Sequence, residues 1–533
     1  MSRLSIVCLL LLPLVSCRAP QETPRGPRTA AESSAGQRTS TTAEVDAFLQ
    51  ELATLRRSDR LRTFELGRTN EGRALRAVAV GSPPPEELTT EAAGDRLRVF
   101  VNGNIHGGEV EGKEASLQLL RAFADGRHAD LLDRLVIVFL PVYNADGNDR
   151  IDRANRVTQN GPDGGVGERA NAQRLDLNRD FVKVESPECA ALMRVFRTFD
   201  PHVFMDLHTT NGTYHGYHLT YSPSLSTNVD TAIDAFARAS WIHTIRAELE
   251  ERHGFRAFDY GNASRGDEPV WATYDHRPRF GTNYYGLRNR FSLLSEAYSY
   301  LPFEQRIDVT RAFVLETLRA THAMADAIQR LCTQADERVL AGDVRFAWDT
   351  SLAPARDGEI LMGAIDEVEL EGLGTRRVAR PEFRVVPMGI QDRFVSNAST
   401  PLPQAWVVRS APAALVELLD HHGLAYERLE ATRTVSAQRF TLTSVETASR
   451  PFQGHHNVRL TGGWAPAQEV DLPPGSLLVD GRQRLARVAA QLLEPLSEDS
   501  AFTWNLFDAA LDAEGGQVFP VLRLSEAPAR ESR

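Results

Sequence analysis

Four short stretches combine residue types that perform chemistry. The first is Asn102-Gly103-Asn104-Ile105-His106-Gly107-Gly108-Glu109, which sets a histidine and a glutamate three residues apart just after the apolar run Val99-Phe100-Val101. Imidazole nitrogen and carboxylate oxygen are both zinc ligands, and a strand-to-helix turn lets the two side chains converge on one point. Alone, a His-x-x-Glu pair among 14 histidines carries little weight, because a glutamate at a helix N-terminus is also favoured by the helix dipole. The second stretch is Asp200-Pro201-His202-Val203-Phe204-Met205-Asp206-Leu207-His208-Thr209-Thr210. His208 ends an apolar strand and can supply the third protein ligand that a catalytic zinc requires, with a fourth position left for water. A hydrogen-bonded histidine at a strand edge is the plainer reading of that residue taken by itself.

The third stretch is Leu175-Asp176-Leu177-Asn178-Arg179-Asp180. A guanidinium is a planar fork that grips a carboxylate bidentately, although an Asp/Arg cluster on a loop is also an ordinary ion-pair network. The fourth is Phe291-Ser292-Leu293-Leu294-Ser295-Glu296-Ala297. A carboxylate at the end of an apolar strand is costly unless it is paired, open to a cleft, or used.

These residues must be positioned by the elements around them. Short apolar runs at Leu75–Val80, Leu97–Val101, Leu135–Val142, His202–Leu207 and Phe291–Leu294 alternate with helical stretches including Ala115–Ala124, Glu188–Thr198 and Ile233–Glu251. The alternation predicts an α/β domain with a mixed, mostly parallel sheet flanked by helices, and ligands in such sheets sit beyond the carboxyl ends of the strands. A long helix around Val309–Leu331 closes it. From about Asp343 the texture changes to short alternating runs rich in Gly and Pro. The expected organisation is a catalytic domain at 43–334 and a smaller mixed α/β or β-rich C-terminal domain at 335–533.

Taken together and in this chain order, the four stretches resemble the zinc carboxypeptidase family, over roughly residues 43–330. The segment Gly67-Arg68-Thr69-Asn70-Glu71-Gly72-Arg73 is similar to that family's early turn. The resemblance implies that His106, Glu109 and His208 hold one Zn2+. It implies that Asp176 orients the first histidine, that Asn178 and Arg179 hold the terminal carboxylate of the substrate, and that Glu296 is the general base for a zinc-activated water. Two expected residues match less directly. Past the turn Asn144-Ala145-Asp146-Gly147, ungapped counting puts Gln159 where the family has an oxyanion arginine, so Arg156 is taken as the substitute. Tyr274 has the spacing of the substrate tyrosine, with Tyr284 and Tyr285 as nearer alternatives. The Ala-Tyr-Ser-Tyr that follows Glu296 differs from the digestive members of the family.

Composition bounds the rest. The chain has 533 residues, 42% hydrophobic and 25% charged, and a net charge of −11. That is globular composition, too long for one small core, and it argues against a nucleic-acid binder, which needs a basic face. Met1–Ser16 has a positive start and about a dozen apolar residues, as a secretory signal does. Leu14-Val15-Ser16-Cys17 resembles a bacterial lipobox, which implies lipidation at Cys17, a flexible tether over 17–42 and a protein anchored in the cell envelope. Arg18 after the cysteine favours the outer membrane. Cys189 and Cys332 are available to pair in an oxidising compartment. His215 and His218 read as strand or surface histidines. His421 and His422 precede Gly423 at a helix end, where the dipole favours cations.

The activity expected is hydrolysis of the C-terminal bond of peptides or cell-wall stem peptides. A zinc amidase or deacylase of N-acylated amino acids, and a non-catalytic binding lipoprotein with a vestigial site, remain open as alternatives. Side-chain preference, oligomeric state and the role of the last 200 residues are not legible.

Overall fold

A computed structural model describes residues 25–55, 60–81, 88–266, 268–509 and 519–524. The expected signal peptide and Cys17 lie outside these residues. The first ten strands are β1 (Leu61–Arg68), β2 (Ala74–Val80), β3 (Leu97–Gly103), β4 (Leu135–Leu140), β5 (Val203–Thr210), β6 (Leu219–Pro223), β7 (Ala257–Asp259), β8 (Asn262–Ala263), β9 (Val270–Ala272) and β10 (Phe291–Tyr298). Eight of them form one sheet in the order β1-β2-β4-β3-β5-β10-β6-β7. The pairs β3–β4, β3–β5, β5–β10 and β6–β7 are parallel, and β1–β2, β2–β4 and β6–β10 are antiparallel.

Burial explains why the central strands read as unbroken apolar runs. β3, β4 and β5 are buried along their whole length, so both faces of each strand are mostly apolar, with the polar Asn102, Asp206 and His208 set toward the carboxyl ends. The helix Phe303–Ala323 packs beside Glu111–Ala124 and Ile242–His253, and Pro187–Thr198 packs against β1. Ser186 caps Pro187–Thr198 through the Cys189 N–H, with Pro187 at the first turn, where its missing N–H costs nothing. The expected α/β fold with a mixed, mostly parallel sheet is the observed one. In its register Glu296 pairs with His208 and Asn102 with Asp206, so the candidate residues gather at the carboxyl ends of β3, β5 and β10.

The remaining strands are β11 (Arg345–Leu352), β12 (Glu359–Leu370), β13 (Gly374–Pro387), β14 (Gly389–Gln391), β15 (Phe394–Pro401), β16 (Ala405–Val408) and β17 (Tyr426–Arg428). After these come β18 (Arg433–Gln438), β19 (Phe440–Thr447), β20 (Val458–Trp464), β21 (Gln468–Leu472), β22 (Leu477–Asp480) and β23 (Val521–Leu524). They build a six-stranded sheet, β17-β22-β16-β23-β18-β21, and the pairs β11–β15, β12–β13 and β19–β20. β14 instead joins β9 and β8.

Two expected boundaries move. The helix Ala325–Ala341 runs unbroken through position 334 and ends at Gly342, whose φ of +83° a glycine adopts without steric cost. The main hydrophobic core also continues from Val45 through Trp406, Leu477 and Phe502 to Val521, so one face of the C-terminal sheet shares the catalytic core, while Ala405, Val407, Val435, Val470, Leu478 and Leu522 form a second apolar cluster of that part's own. The second half of the expected tether, residues 25–42, is folded onto the catalytic domain. Thr39 and the Ser40 N–H bond the buried Glu114 carboxylate at 2.8 and 2.7 Å, and Arg121 pairs with Glu32. Ala31 joins Val110, Phe303 and Ile307 in a small apolar cluster. Polar composition hid this segment because its anchors are hydrogen bonds to buried charges, which leave no apolar period. Cys189 and Cys332 are both free, buried thiols.

Candidate active site

The loop after β3 carries His106 and Glu109. Asn104 takes a left-handed backbone, φ +59°, and its side-chain N–H2 donates to the carbonyls of His106, Gly107 and Glu109 at 3.2, 3.3 and 3.1 Å. Asn is one of the few residues that tolerates this conformation. It organises the turn, a role the sequence reading did not assign. Gly107 and Gly108 are required by space: a Cβ at 107 would lie 2.4 Å from the main chain of Gly147, and one at 108 would lie 2.6 Å from the Arg156 side chain.

His106, Glu109 and His208 converge, with one candidate ligand atom from each lying within 4.8 Å of the others. Glu109 Oε2 is 3.0 Å from His106 Nδ1 and 2.9 Å from His208 Nδ1. The opposite ring nitrogens face carboxylates: His106 Nε2 is 3.1 Å from Asp176 Oδ1, and His208 Nε2 is 2.9 Å from Asp206 Oδ2. A carboxylate on the far nitrogen holds the proton there and leaves the near nitrogen as a bare lone pair. His106 Nδ1, His208 Nδ1 and a Glu109 carboxylate oxygen face one another in a buried space, and His106 Nδ1 has no hydrogen-bond partner there. Two imidazole nitrogens and a carboxylate oxygen converging in this way are a donor set that fits a zinc ion.

The surrounding charges are steep. Burial pushes Glu109 up, but His106 and Arg156 override it and hold the carboxyl well below its ordinary range. Burial pulls His208 down, but the Asp206 carboxylate overrides that and holds the ring well above its usual value. Asp176 is held down in the same sense, with His106 and Arg169 outweighing burial.

Glu296 is the partly exposed residue of an otherwise buried β10. Burial pushes it up to about 8, His208 pulls it down and Glu109 adds to the rise. Among the described residues, no side chain donates a hydrogen bond to it. Asn178 is buried, with its carbonyl oxygen accepting the Gly281 N–H at 2.8 Å and its amide nitrogen 3.4 Å from His208 Nε2. Arg179 lies over the Phe280 ring, 3.9 Å from the centroid, and Phe280 in turn contacts Tyr274. Tyr274 packs edge-on against Tyr260, and Tyr260 is itself pushed up to about 12 by burial and the Glu296 charge. β14 pairs with β9 just before Tyr274, so the loop carrying that tyrosine is stitched to the C-terminal part of the chain.

Several expectations are corrected by this geometry. Arg156 is fully committed: it donates to Glu109 Oε1 at 2.9 Å, to the Thr209 carbonyl at 2.8 Å and to Gln159 at 2.8 Å. It is a support of the candidate ligand Glu109, and Gln159 is a support of Arg156. Arg169 is the freer cation. Its side chain is 48% exposed and bonds Asp176 Oδ2, with Nη1 3.6 Å from Glu109 Oε1. The sequence reading missed it; the signal available was an arginine inside the run leading to Asp176-Leu177-Asn178. Tyr284 and Tyr285 drop out as substrate tyrosines, since their hydroxyls bond His422 Nδ1 and the Pro201 carbonyl in the core. His422 is not a cation at a helix end: burial pulls it down to about 3, and its two nitrogens meet Tyr284 and the Val182 carbonyl. His215 is a buried strand-side histidine and His218 a half-buried one, pulled by full and partial burial to about 3 and about 4.

A mixed sheet with a His-Glu-His centre at its carboxyl edge and an unpaired glutamate beside it defines a metallohydrolase. Residues 45–307 match the family described as zinc carboxypeptidase. Carboxypeptidase 2 of Trichophyton equinum is 22% identical over 507 residues, 90% of this chain and 86% of that one. Carboxypeptidase Z of Homo sapiens is 34% identical over 131 residues, 24% of this chain and 19% of that one. Among solved structures, a metallo-carboxypeptidase from Burkholderia cenocepacia aligns with a TM-score of 0.40 and 17% identity, over 53% of this chain and 69% of that one. Through residues 45–307 the chain belongs to the zinc carboxypeptidase family, and it is a zinc metallopeptidase of the carboxypeptidase type.

Proposed function

We propose that this protein removes single residues from the free carboxyl end of peptides or of cell-wall stem peptides. The observation that carries this reading is the convergence of His106, Glu109 and His208 beside an unpartnered Glu296, with Arg179 and Arg169 at the same cleft. One zinc ion held by the three ligands supplies a Lewis acid that polarises the scissile carbonyl and acidifies water. Glu296 takes the proton of the attacking water and returns it to the leaving amine. Arg169 keeps Nε and Nη2 on Asp176 and turns its remaining donor toward the charge that develops on the carbonyl oxygen, the role first expected of Arg156. Arg179 pairs with the terminal carboxylate and so selects exopeptidase substrates. Tyr274 closes the aromatic row behind it.

The location proposed is the cell envelope, by way of a lipid on Cys17. No helix among the described residues is long and apolar enough to cross a membrane.

The test is a hydrolysis screen of peptides varied at the C-terminal residue, of muropeptides and of N-acylated amino acids, with and without a chelator. Chelator-sensitive release of a single C-terminal residue is expected. Turnover confined to N-acylated amino acids overturns the peptidase reading in favour of a deacylase, and no chelator-sensitive turnover overturns both.

A further inference from the structure

The C-terminal part of the chain reaches the catalytic loops at the tip between β19 and β20. There the Phe452 and His455 main chains bond each other in both directions, at 2.8 and 3.0 Å, and close a two-residue turn on Gln453 and Gly454. Both turn residues have positive φ, +52° and +85°. Asn-Gly is the pair that suits such a turn, and a glutamine at its first position is sterically disfavoured. The side chain of Gln453 leaves the turn, and its Oε1 accepts the main-chain N–H of Asp176 at 2.9 Å, across 277 residues of sequence. Asp176 is the residue whose carboxylate faces His106 Nε2 and bonds Arg169.

The tip is held from both sides. His455 Nε2 meets Glu185 at 2.6 Å, and the Phe452 ring lies under the Arg279 guanidinium, 5.0 Å from the centroid. Arg279 is itself bound bidentately by the buried Asp499. A turn anchored so firmly around a disfavoured backbone, with its side chain spent on the amide of a catalytic loop, matches the pattern of strain kept for function.

We infer that Gln453 is a positioning residue for the metal centre. By fixing the main chain of Asp176 it fixes the carboxylate that orients His106, which makes the region beyond Gly342 part of the active site. This inference rests on the zinc-site reading above.

Gln453→Gly tests it on the full-length holoenzyme, because glycine deletes the acceptor and also relieves the left-handed backbone. The expected result has four parts. The melting temperature is equal or higher. Amide exchange in a peptide spanning 171–179 is faster. Zinc is lost to a competing chelator at about 3–10-fold lower concentration, below the 10–100-fold typical of a direct partner of the ligand. The kcat falls while KM for a peptide holds. Gln453→Glu keeps an acceptor of the same reach and is expected to stay within about twofold of wild type in zinc affinity. Unchanged exchange and zinc affinity in Gln453→Gly overturn the inference, and so does a loss of zinc that merely follows a lower melting temperature. Wild-type protein that takes up no stoichiometric zinc overturns the zinc-site reading itself.

Discussion

Glu296 stands level with His208 in the parallel pairing of β5 and β10. Neighbouring strands run about 5 Å apart, so the proposed base and the proposed third zinc ligand are set side by side by main-chain hydrogen bonds and not by a loop. β5 is buried throughout and β10 everywhere but at Glu296, which leaves little freedom for that spacing to vary.

If Glu296 carries the proton, Glu296→Gln removes the base while keeping size and hydrogen-bonding shape. Turnover is expected to fall by about 10²–10⁴-fold. Zinc content, measured by elemental analysis, is expected to stay at one per chain, because the new carboxamide displaces no ligand. Normal turnover in this variant rejects the assignment.

Asp176 and Asp206 each hold the far nitrogen of a proposed zinc histidine. Asp206 is in turn held by Asn102, whose amide donates to its other oxygen at 3.0 Å. Replacing either aspartate by asparagine keeps the shape and removes the charge that fixes the tautomer. Zinc affinity is expected to drop by about 10–100-fold in each, read by chelator competition at constant pH.

Arg156 and Arg169 separate by their partners. Arg156→Ala strands the buried oxygens of Glu109, Thr209 and Gln159, each worth about 1–3 kcal/mol when left unpaired, so a lower melting temperature and weaker zinc binding are expected. Arg169→Ala touches a half-exposed side chain. It is expected to leave the melting temperature within a few degrees and to cut kcat by about 10²–10³-fold. The reverse pattern restores Arg156 as the oxyanion residue.

His422 sets a pH dependence of stability. Its folded value of about 3 lies below the ordinary 6.5, so between those limits the unfolded chain binds one more proton than the folded chain. Stability therefore falls as pH drops through that window, by about 4 kcal/mol near pH 3 from this residue alone. In His422→Gln the side-chain amide can still donate to the Val182 carbonyl and accept from Tyr284 but cannot titrate. The stability gap between wild type and this variant, from denaturant melts, is expected to shrink steadily from pH 7 to pH 4. A gap that stays constant removes His422 from the explanation.

How far the sequence could be read depended on whether a signal was local. His106, Glu109 and His208 were legible because strand ends and turn residues flank each of them, and Glu296 because a carboxylate ending an apolar strand is costly without a use. Arg156 and Arg169 were not separable, since both are arginines on glycine-rich loops and differ only in which acceptors surround them. His422 was read as structural, as it is, but its charge was not legible: a histidine at a helix end is favoured as a cation when exposed, and only tertiary burial makes it neutral. Residues 25–42 looked like tether because their attachment is polar.

Amino-acid order alone determined the strand and helix pattern, the zinc-ligand types and the placement of the site at strand ends, because these follow from apolar periodicity and from chemistry carried within a few neighbouring residues. Tertiary structure decided which arginine faces the cleft, which tyrosine joins it, and that a turn at Gln453 reaches the loop of Asp176. Those outcomes hang on contacts between segments up to 277 residues apart, whose partners are chosen by packing and by the need to satisfy buried polar groups, and neither leaves a local mark.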